Sequence, residues 1–243
     1  MPAMPPPTLS LIIPCYNEAG NLPRLVARCV EVFAGSGHEV VLVDNGSTDD
    51  TARLLPGLIE PYPFLRTTRV EVNQGYGFGI LSGLRAATGE YLGWTHADLQ
   101  TDPADALKGL ELILSSPDPV RVFAKGSRYG RPLRDRLFAW GMAAFEFLIL
   151  GKRLWDIHAQ PALFHHSVYR AWAEPPHDFS LDLFAYWRAV ADGMTIRRFP
   201  VYFGPRLSGT GHNETLAAKL RYSRRTILYS FALRRRLLKE TSC

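Results

Sequence analysis

Residues 39–50, Glu39-Val40-Val41-Leu42-Val43-Asp44-Asn45-Gly46-Ser47-Thr48-Asp49-Asp50, hold one unit of the fold: four apolar residues in succession, then an abrupt polar turn. A continuous apolar run this short, bounded by Asn-Gly, reads as a strand buried on both faces. Asn-Gly turns the chain and Ser47 or Thr48 can cap a following helix. Asp44 stands at the strand tip, where an acid can accept a hydrogen bond from a base N–H or a ribose hydroxyl.

The same unit repeats on either side. Short β-branched runs at 9–13, 39–43, 67–72 and 91–95 alternate with helical patterns at 21–33, 48–58, 78–87 and 102–114. Parallel strands need crossover connections, and right-handed crossovers place helices on both faces, so the alternation implies an α/β domain around a mainly parallel sheet. Ligands gather at the carboxyl ends of strands in such sheets. The second half is less regular, with strands expected at 120–125, 162–164 and 195–202 and helices at 134–150, 181–191 and 213–239. The division expected is a lead-in (1–7), one catalytic domain (8–212) with a donor half (8–115) and an acceptor half (116–212), and a basic C-terminal helix (213–243).

Each early strand ends in polar residues. Pro14-Cys15-Tyr16-Asn17-Glu18 follows the first, where the plain alternative is a turn with Asn17 as helix cap. Asn73-Gln74-Gly75-Tyr76-Gly77-Phe78-Gly79 follows the third. It fails the G-x-G-x-x-G dinucleotide spacing, because the third glycine falls on Ile80 or on Ser82, which argues against a dehydrogenase. A close backbone approach to phosphate at a helix start remains open. The fourth strand ends in His96-Ala97-Asp98-Leu99-Gln100-Thr101-Asp102-Pro103, where His96, Asp98 and Gln100 share a face if the backbone stays extended and can hold a divalent cation. Asp102 with Pro103 reads as a cap and first position of a helix.

Taken in order, PCYNE, VDNGSTDDT, NQGYGFG and HADLQTDP resemble glycosyltransferase family 2, in particular its polyprenyl-phosphate branch related to dolichol-phosphate mannosyltransferase. The resemblance covers about the first half of the chain. It implies a GT-A fold and an inverting transfer of a hexose from a nucleotide-diphosphate sugar. It further implies that Pro14, Tyr16, Glu18, Asp44 and Gly75 hold the donor, while Asp98 and Gln100 meet Mg²⁺ or Mn²⁺ and the diphosphate. His96 stands where the family usually has an acid. A neutral imidazole ligates Mn²⁺ more readily than Mg²⁺, so the substitution favours Mn²⁺.

On the acceptor side, Gly126-Ser127-Arg128, Arg131, Arg134 and Arg136 resemble the arginines of that branch that meet an acceptor phosphate, a task suited to the guanidinium fork. Arg134 and Arg136 are alternatives. Asp156-Ile157-His158-Ala159-Gln160-Pro161 and 201–209 also resemble family segments, and Asp156, Gln160 and Arg206 are the residues expected there. Asp98, Arg128 and Arg206 are the expected catalytic set. A lipid phosphate acceptor needs no general base. A hydroxyl acceptor would, and Asp178 and Asp182 are the candidates, unless Asp178 is a cap and Asp182 an exposed first-turn acid. A third possibility is a non-catalytic partner protein that binds nucleotide sugar or lipid through a degenerate metal motif. His165 and His166 are read as structural.

Net charge is +5, but Lys219, Arg221, Arg224, Arg225, Arg234, Arg235, Arg236 and Lys239 face only Glu240 in residues 219–243. The basicity therefore belongs to the tail, which suits an anionic membrane surface and not a nucleic-acid-binding protein throughout. An apolar helix at 137–150 is ordinarily core. The arginines at its entry, and a stripe of Leu220, Ile227, Leu228, Phe231 and Leu238 in the last helix, raise a membrane-facing reading. No stretch reads as a signal peptide or a membrane span. The three cysteines, Cys15, Cys29 and Cys243, read as reduced thiols. The expectation is a cytoplasmic protein peripheral on the inner face of a bacterial cell membrane.

Overall fold

The computed structural model describes residues 7–206 and 216–240, with the side chains of 216–223 and 237–240 excepted. Residues 1–6 of the expected lead-in, 207–209 of the last family-like segment, 213–215 of the expected last helix, the side chains of Leu220 and Leu238, and Cys243 lie outside what is described.

In chain order the elements are β1 (Leu9–Cys15), α1 (Leu22–Phe33), β2 (Glu39–Asn45), α2 (Thr51–Ile59), β3 (Leu65–Val70), α3 (Tyr76–Ala86), β4 (Tyr91–Trp94) and α4 (Asp105–Leu114). After a 3₁₀ turn at Pro119–Arg121 come β5 (Val122–Tyr129), α5 (Leu133–Leu150), β6 (Ala162–His165), α6 (His166–Arg170), α7 (Ser180–Ala191), β7 (Thr195–Tyr202) and α8 (Leu216–Glu240). The strands form one seven-stranded sheet in the order β3-β2-β1-β4-β6-β5-β7. Every contact is parallel except those of β6, which runs antiparallel to both β4 and β5.

β1 and β2 are buried almost throughout, as their unbroken apolar runs require. Leu22, Leu25, Val26, Cys29 and Phe33 form the inward stripe of α1 on one face of the sheet. On the other face α3 and α7 cover Ile12, Val43 and Trp94. Burying a side chain of this size is worth about 1.5–3 kcal/mol, so two such layers account for one stable core. The reversal at β6 matters for the site. It brings the segment preceding β6 to the same edge of the sheet as the carboxyl ends of β1, β2, β4, β5 and β7.

Several local expectations shift. β3 lies two residues earlier than its β-branched run, because Leu65 and Val70 face the core while Val72 is 71 % exposed. α4 begins at Asp105 rather than at Asp102: the Asp102 carboxylate accepts from Ala104 N–H at 2.9 Å and from the Arg28 guanidinium, so it closes a turn outside the helix. Asn17 caps no helix. It takes a left-handed conformation and accepts from Thr48 N–H at 2.8 Å, tying the first strand end to the second. Neither Ser47 nor Thr48 caps α2, whose first residue, Thr51, donates its N–H to Asp49. The histidine pair does not alternate along a strand, because β6 ends at His165 and α6 starts at His166, leaving the rings 4.3 Å apart.

The largest correction concerns α5. Of its 18 residues only Glu146 and Leu150 are buried, while Leu133, Leu137, Phe138, Trp140, Phe147 and Leu148 are exposed. It is not a core helix. α8 packs on it with Thr226, Ser230 and Leu233 inward, and Leu228 and Phe231 of the expected stripe face out. Among the described residues, no helix is long and apolar enough to cross a membrane.

Candidate active site

A cleft of about 960 Å³ opens along the edge where the strand ends collect. At one end it is lined by Pro14 near the end of β1 and Tyr16 and Glu18 after it, by Asn45 at the tip of β2, and by Asn73 and Gly75 ahead of α3. Asp44 does not line it. Its Oδ1 accepts from Ser47 N–H at 3.0 Å and its Oδ2 lies 3.5 Å from Arg69 Nε, so β2 presents Asn45 to the cleft in its place. The glycine cluster is also used differently from a phosphate cradle. A Cβ on Gly75 or Gly77 would lie 2.5–2.7 Å from backbone carbonyls of residues 176–178, and Phe78 N–H donates to His177 O. The close approach that these glycines permit is to the chain itself.

In the middle stand His96, Asp98, Gln100 and Arg206. The backbone does not stay extended: β4 ends at Trp94 and Leu99 takes a left-handed φ of 57°. That bend lets Gln100 N–H donate to Asp98 Oδ1 at 3.1 Å, while the Gln100 amide donates to Gly204 O. Arg206 bridges two acids, bonded to Glu18 and 3.6 Å from Asp98 Oδ2. Burial pushes the Glu18 carboxyl above its ordinary pKa, against the opposing pull of Asn21 and Arg206. Burial also pushes His96 down, against Asp98 and Asp182, so the imidazole is neutral near pH 7.

A divalent cation fits here in part. Asp98 and the neutral ring of His96 face one cavity and offer an oxygen and a nitrogen donor, which suits a cation whose other positions are filled by a diphosphate. Gln100 fits less well, since its amide N–H is turned to Gly204. Among the described residues no group of three or more His, Cys, Asp or Glu forms a complete cage.

The far end is lined by Arg128, Arg131, Arg134, Phe138 and Met142, with Asp156, His158 and Asp182 behind them. Asp156 is buried and receives Arg128 side on, with Arg128 N–H at 3.0 Å and Arg131 at 3.5 Å. Burial alone would raise the Asp156 pKa, but the two arginines hold it below its ordinary value. Both guanidinium groups also lie against the Phe203 ring. Arg134 lines the cleft and Arg136 does not. Gln160 donates to the Tyr76 hydroxyl, and Tyr76 stacks on Phe179 at 4.4 Å.

Asp178 accepts from Ser180 N–H at 2.9 Å and so turns the chain into α7. Asp182 is no exposed first-turn acid. It is 2 % exposed, with Trp94 Nε1 donating to one oxygen at 3.0 Å and His158 Nδ1 at 3.1 Å from the other. Burial would raise its pKa, and His158, Lys125 and His96 outweigh that and hold it low. Lys125, buried beneath, donates to Ala159 O at 2.6 Å and is pushed by burial down to about 7.

The sequence reading singles out Arg131 with its neighbouring arginines, but not Asn45, His158, Lys125, Phe179 or Arg225, all of which line or support the cleft. A lysine inside the apolar run 122–125 was a signal, because such a residue needs a buried acceptor. His158 gave none, since its partner is 24 positions away.

The profile of the family described as Glycosyl transferase family 2 matches residues 10–193. The undecaprenyl-phosphate 4-deoxy-4-formamido-L-arabinose transferase of Sodalis glossinidius is 27 % identical over 221 residues, covering 89 % of this chain and 60 % of that protein. The dolichol-phosphate mannosyltransferase of Pyrococcus furiosus is 34 % identical over 121 residues, covering 50 % of this chain and 33 % of that protein. The chain thus spans between a third and three fifths of the length of these curated relatives. Among solved structures, glucosyl-3-phosphoglycerate synthase from Mycobacterium tuberculosis, in complex with Mn²⁺, UDP and glucosyl-3-phosphoglycerate, superposes with a TM-score of 0.69 at 17 % identity over 94 % of this chain and 80 % of that one. A mannosyltransferase from Pyrobaculum calidifontis with GDP-mannose and Mn²⁺ gives 0.64 at 21 % identity over 90 % of this chain and 62 % of that one. These likenesses bear on the fold, and the match over most of the sheet, with the strand-end residues gathered on one cleft, places the chain in glycosyl transferase family 2.

Proposed function

We propose that the chain is an inverting glycosyltransferase that moves a hexose from a nucleotide-diphosphate sugar to a polyprenyl phosphate at a membrane surface. The observation that carries this reading is the continuity of the cleft's arginine end with the exposed apolar face of α5. Arg134 and Phe138 line the cleft, while Leu137 and Trp140 face solvent beside them. A lipid phosphate has one part for each surface: an anionic head for the guanidinium groups and a chain for the apolar helix. The names of the two curated relatives support the same acceptor class.

In this reading Tyr16, Glu18 and Asn45 receive the nucleoside. Asp98 and His96 would hold the cation, which neutralises charge on the departing diphosphate when bound, and the pairing of His96 with Asp98 favours Mn²⁺. Arg206 leaves Glu18 and Asp98 to meet the diphosphate. The acceptor oxygen then attacks the anomeric carbon from the arginine side, opposite the leaving group. Positioning and electrostatics supply most of the barrier reduction. The attacking phosphate, with a second pKa near about 6, needs no base. The site is expected to work at the inner face of the cell membrane, with α5 and the basic α8 against anionic lipid.

The contact between half-exposed His158 and buried Asp182 favours a second reading, in which a hydroxyl acceptor gives its proton to this pair. The test is a panel of UDP-, GDP- and dTDP-sugars with Mg²⁺ and Mn²⁺, read by thermal shift, and by transfer to citronellyl phosphate or to citronellol. Stabilisation by one donor and transfer to the phosphate is the expected result. Transfer to the alcohol alone favours the second reading. Binding without transfer, with activity gained by His96→Asp, would mark a degenerate partner protein.

A further inference from the structure

His158 is half-exposed, with 38 % of its side chain open, on a segment anchored at three of its neighbouring residues. Asp156 holds Arg128, Ala159 O receives Lys125, and Gln160 bonds Tyr76. The ring itself is fixed by one nitrogen. Asp182 is ionised and can only accept, so the 3.1 Å contact requires a proton on His158 Nδ1. Trp94 Nε1 occupies the other Asp182 oxygen, which prevents the carboxylate from rotating away. Among the described residues, His158 Nε2 makes no hydrogen bond, and the side chain lines the cleft.

The position of the ring decides what it can meet. It stands behind the arginine end, and the charges around it come from every element packed there: Asp182 on α7, His96 and Asp98 after β4, and Lys125 and Arg128 on β5. Arg128 and Arg131 both lean on the single carboxylate of Asp156, so the pair brings a net charge of one to a ligand that carries nearly two. Arg134 lines the same end and supplies the further charge, so what His158 adds is a directed donor, its own charge being offset by Asp182.

We propose that His158 is an acceptor-binding residue: with both ring nitrogens protonated, its Nε2–H donates to a phosphate oxygen of the acceptor, and Asp182 is the positioning residue that aims it. This rests on the phosphate acceptor argued above. No covalent bond is made or broken by the imidazole; it places the phosphate for attack.

The experiment compares wild type, His158→Gln, His158→Leu and Asp182→Asn on citronellyl phosphate at saturating donor. Leucine should raise the acceptor KM at least tenfold with kcat within threefold of wild type. Glutamine, whose amide N–H replaces the donor, should recover most of that loss, and Asp182→Asn should fall between. An acceptor KM within twofold of wild type for His158→Leu overturns the proposal. So does an equal loss of kcat in the Leu and Gln variants, the pattern of a general base. In unmodified enzyme labelled with ¹⁵N-histidine, the His158 ring signal should move on adding citronellyl phosphate, and a signal that stays put also overturns it. A wild type that uses citronellol and not the phosphate, or neither, overturns the acceptor reading together with the proposal. That result is seen before any variant is made, so the two failures are told apart.

Discussion

The two ends of the cleft are held by different means. At the donor end, side chains stand on the tips of β1, β2 and β4, strands buried along their length, and are fixed by short backbone links such as Ser47 to Asp44 and Gln100 to Asp98, with Arg206 on Glu18 as the long-range addition. At the acceptor end they hang on side chains distant in sequence: Arg128 on Asp156, His158 on Asp182, Ser230 on Glu146. Backbone support is set by spacing along the chain. Side-chain support is set by what the fold brings together, and its removal leaves charges uncompensated.

The comparison breaks most visibly at Asp156. Replacing it with Ala strands two guanidinium groups, each largely buried, on one missing carboxylate. Leaving a buried partner unpaired costs about 3–5 kcal/mol. The melting temperature should fall by about 10 °C or more by calorimetry. If it moves by only a degree or two, the acceptor end is not held through this pair.

At the donor end the corresponding cut is Asp98→Asn, which keeps the shape and the Gln100 turn while removing the charge. Stability should change little, and transfer should drop about 10²- to 10³-fold, the loss typical of one preorganised charge-stabilising group. Steady-state rates with Mn²⁺ and Mg²⁺ read this directly. A drop below tenfold with either metal would mean that Asp98 does not meet the diphosphate or its cation.

That contrast also explains what was legible in the sequence. The strand tips could be read because a buried parallel strand is an unbroken apolar run, and whatever polar residue follows it must emerge at the carboxyl edge. The acceptor end resisted for three reasons. β6 runs antiparallel, and no spacing announces that the segment before it lands beside β4 and β5. α5 carries a core-like sequence on an exposed face. The glycines of 75–79 read as room for a phosphate, but residues 176–178 take the room at Gly75 and Gly77, and the Asn45 side chain takes it at Gly79. Asp182 looked like an ordinary first-turn acid because Trp94 and His158 are 88 and 24 positions away.

Behind the acceptor end, the junction of α5 with α8 offers a pH-dependent test. Ser230 Oγ lies 2.7 Å from Glu146 Oε1 and 2.9 Å from Thr226 O, and one hydroxyl proton cannot serve both acceptors. A protonated Glu146 resolves this by donating to Ser230, which then donates to Thr226. Burial, with the Ser230 bond opposing it, pushes the Glu146 pKa up to about 7. The folded state therefore keeps a proton that the unfolded chain releases near its ordinary value. Stability is full in acid and falls as pH rises through the interval from the ordinary carboxyl value to about 7, by about 3 kcal/mol in all. Chemical denaturation between pH 4.5 and 7.5 should show the fall in wild type and a flatter profile in Glu146→Gln. Equal slopes would place the carboxylate in contact with water.

The smallest expected effect separates two arginines that the sequence left as alternatives. Arg134 and Arg136 lie two positions apart on α5, so they point some 200° apart around the helix axis. Arg134 lines the cleft and Arg136 does not, and both are exposed, so neither change should disturb the fold. An exposed guanidinium that meets a phosphate only in the complex contributes modestly. Arg134→Ala should therefore raise the acceptor KM about tenfold, the lower range for a charge-assisted hydrogen bond, with the donor KM unchanged. Arg136→Ala should change it less than twofold in detergent solution. On anionic vesicles the order can invert, because a cation on the outer face of α5 adds about 1 kcal/mol of attraction to the surface. Measuring both variants in detergent and on vesicles thus resolves which arginine serves the phosphate and which serves the membrane. Equal losses in detergent would mean that α5 turns on binding, and that the end held by side chains is also the end that moves.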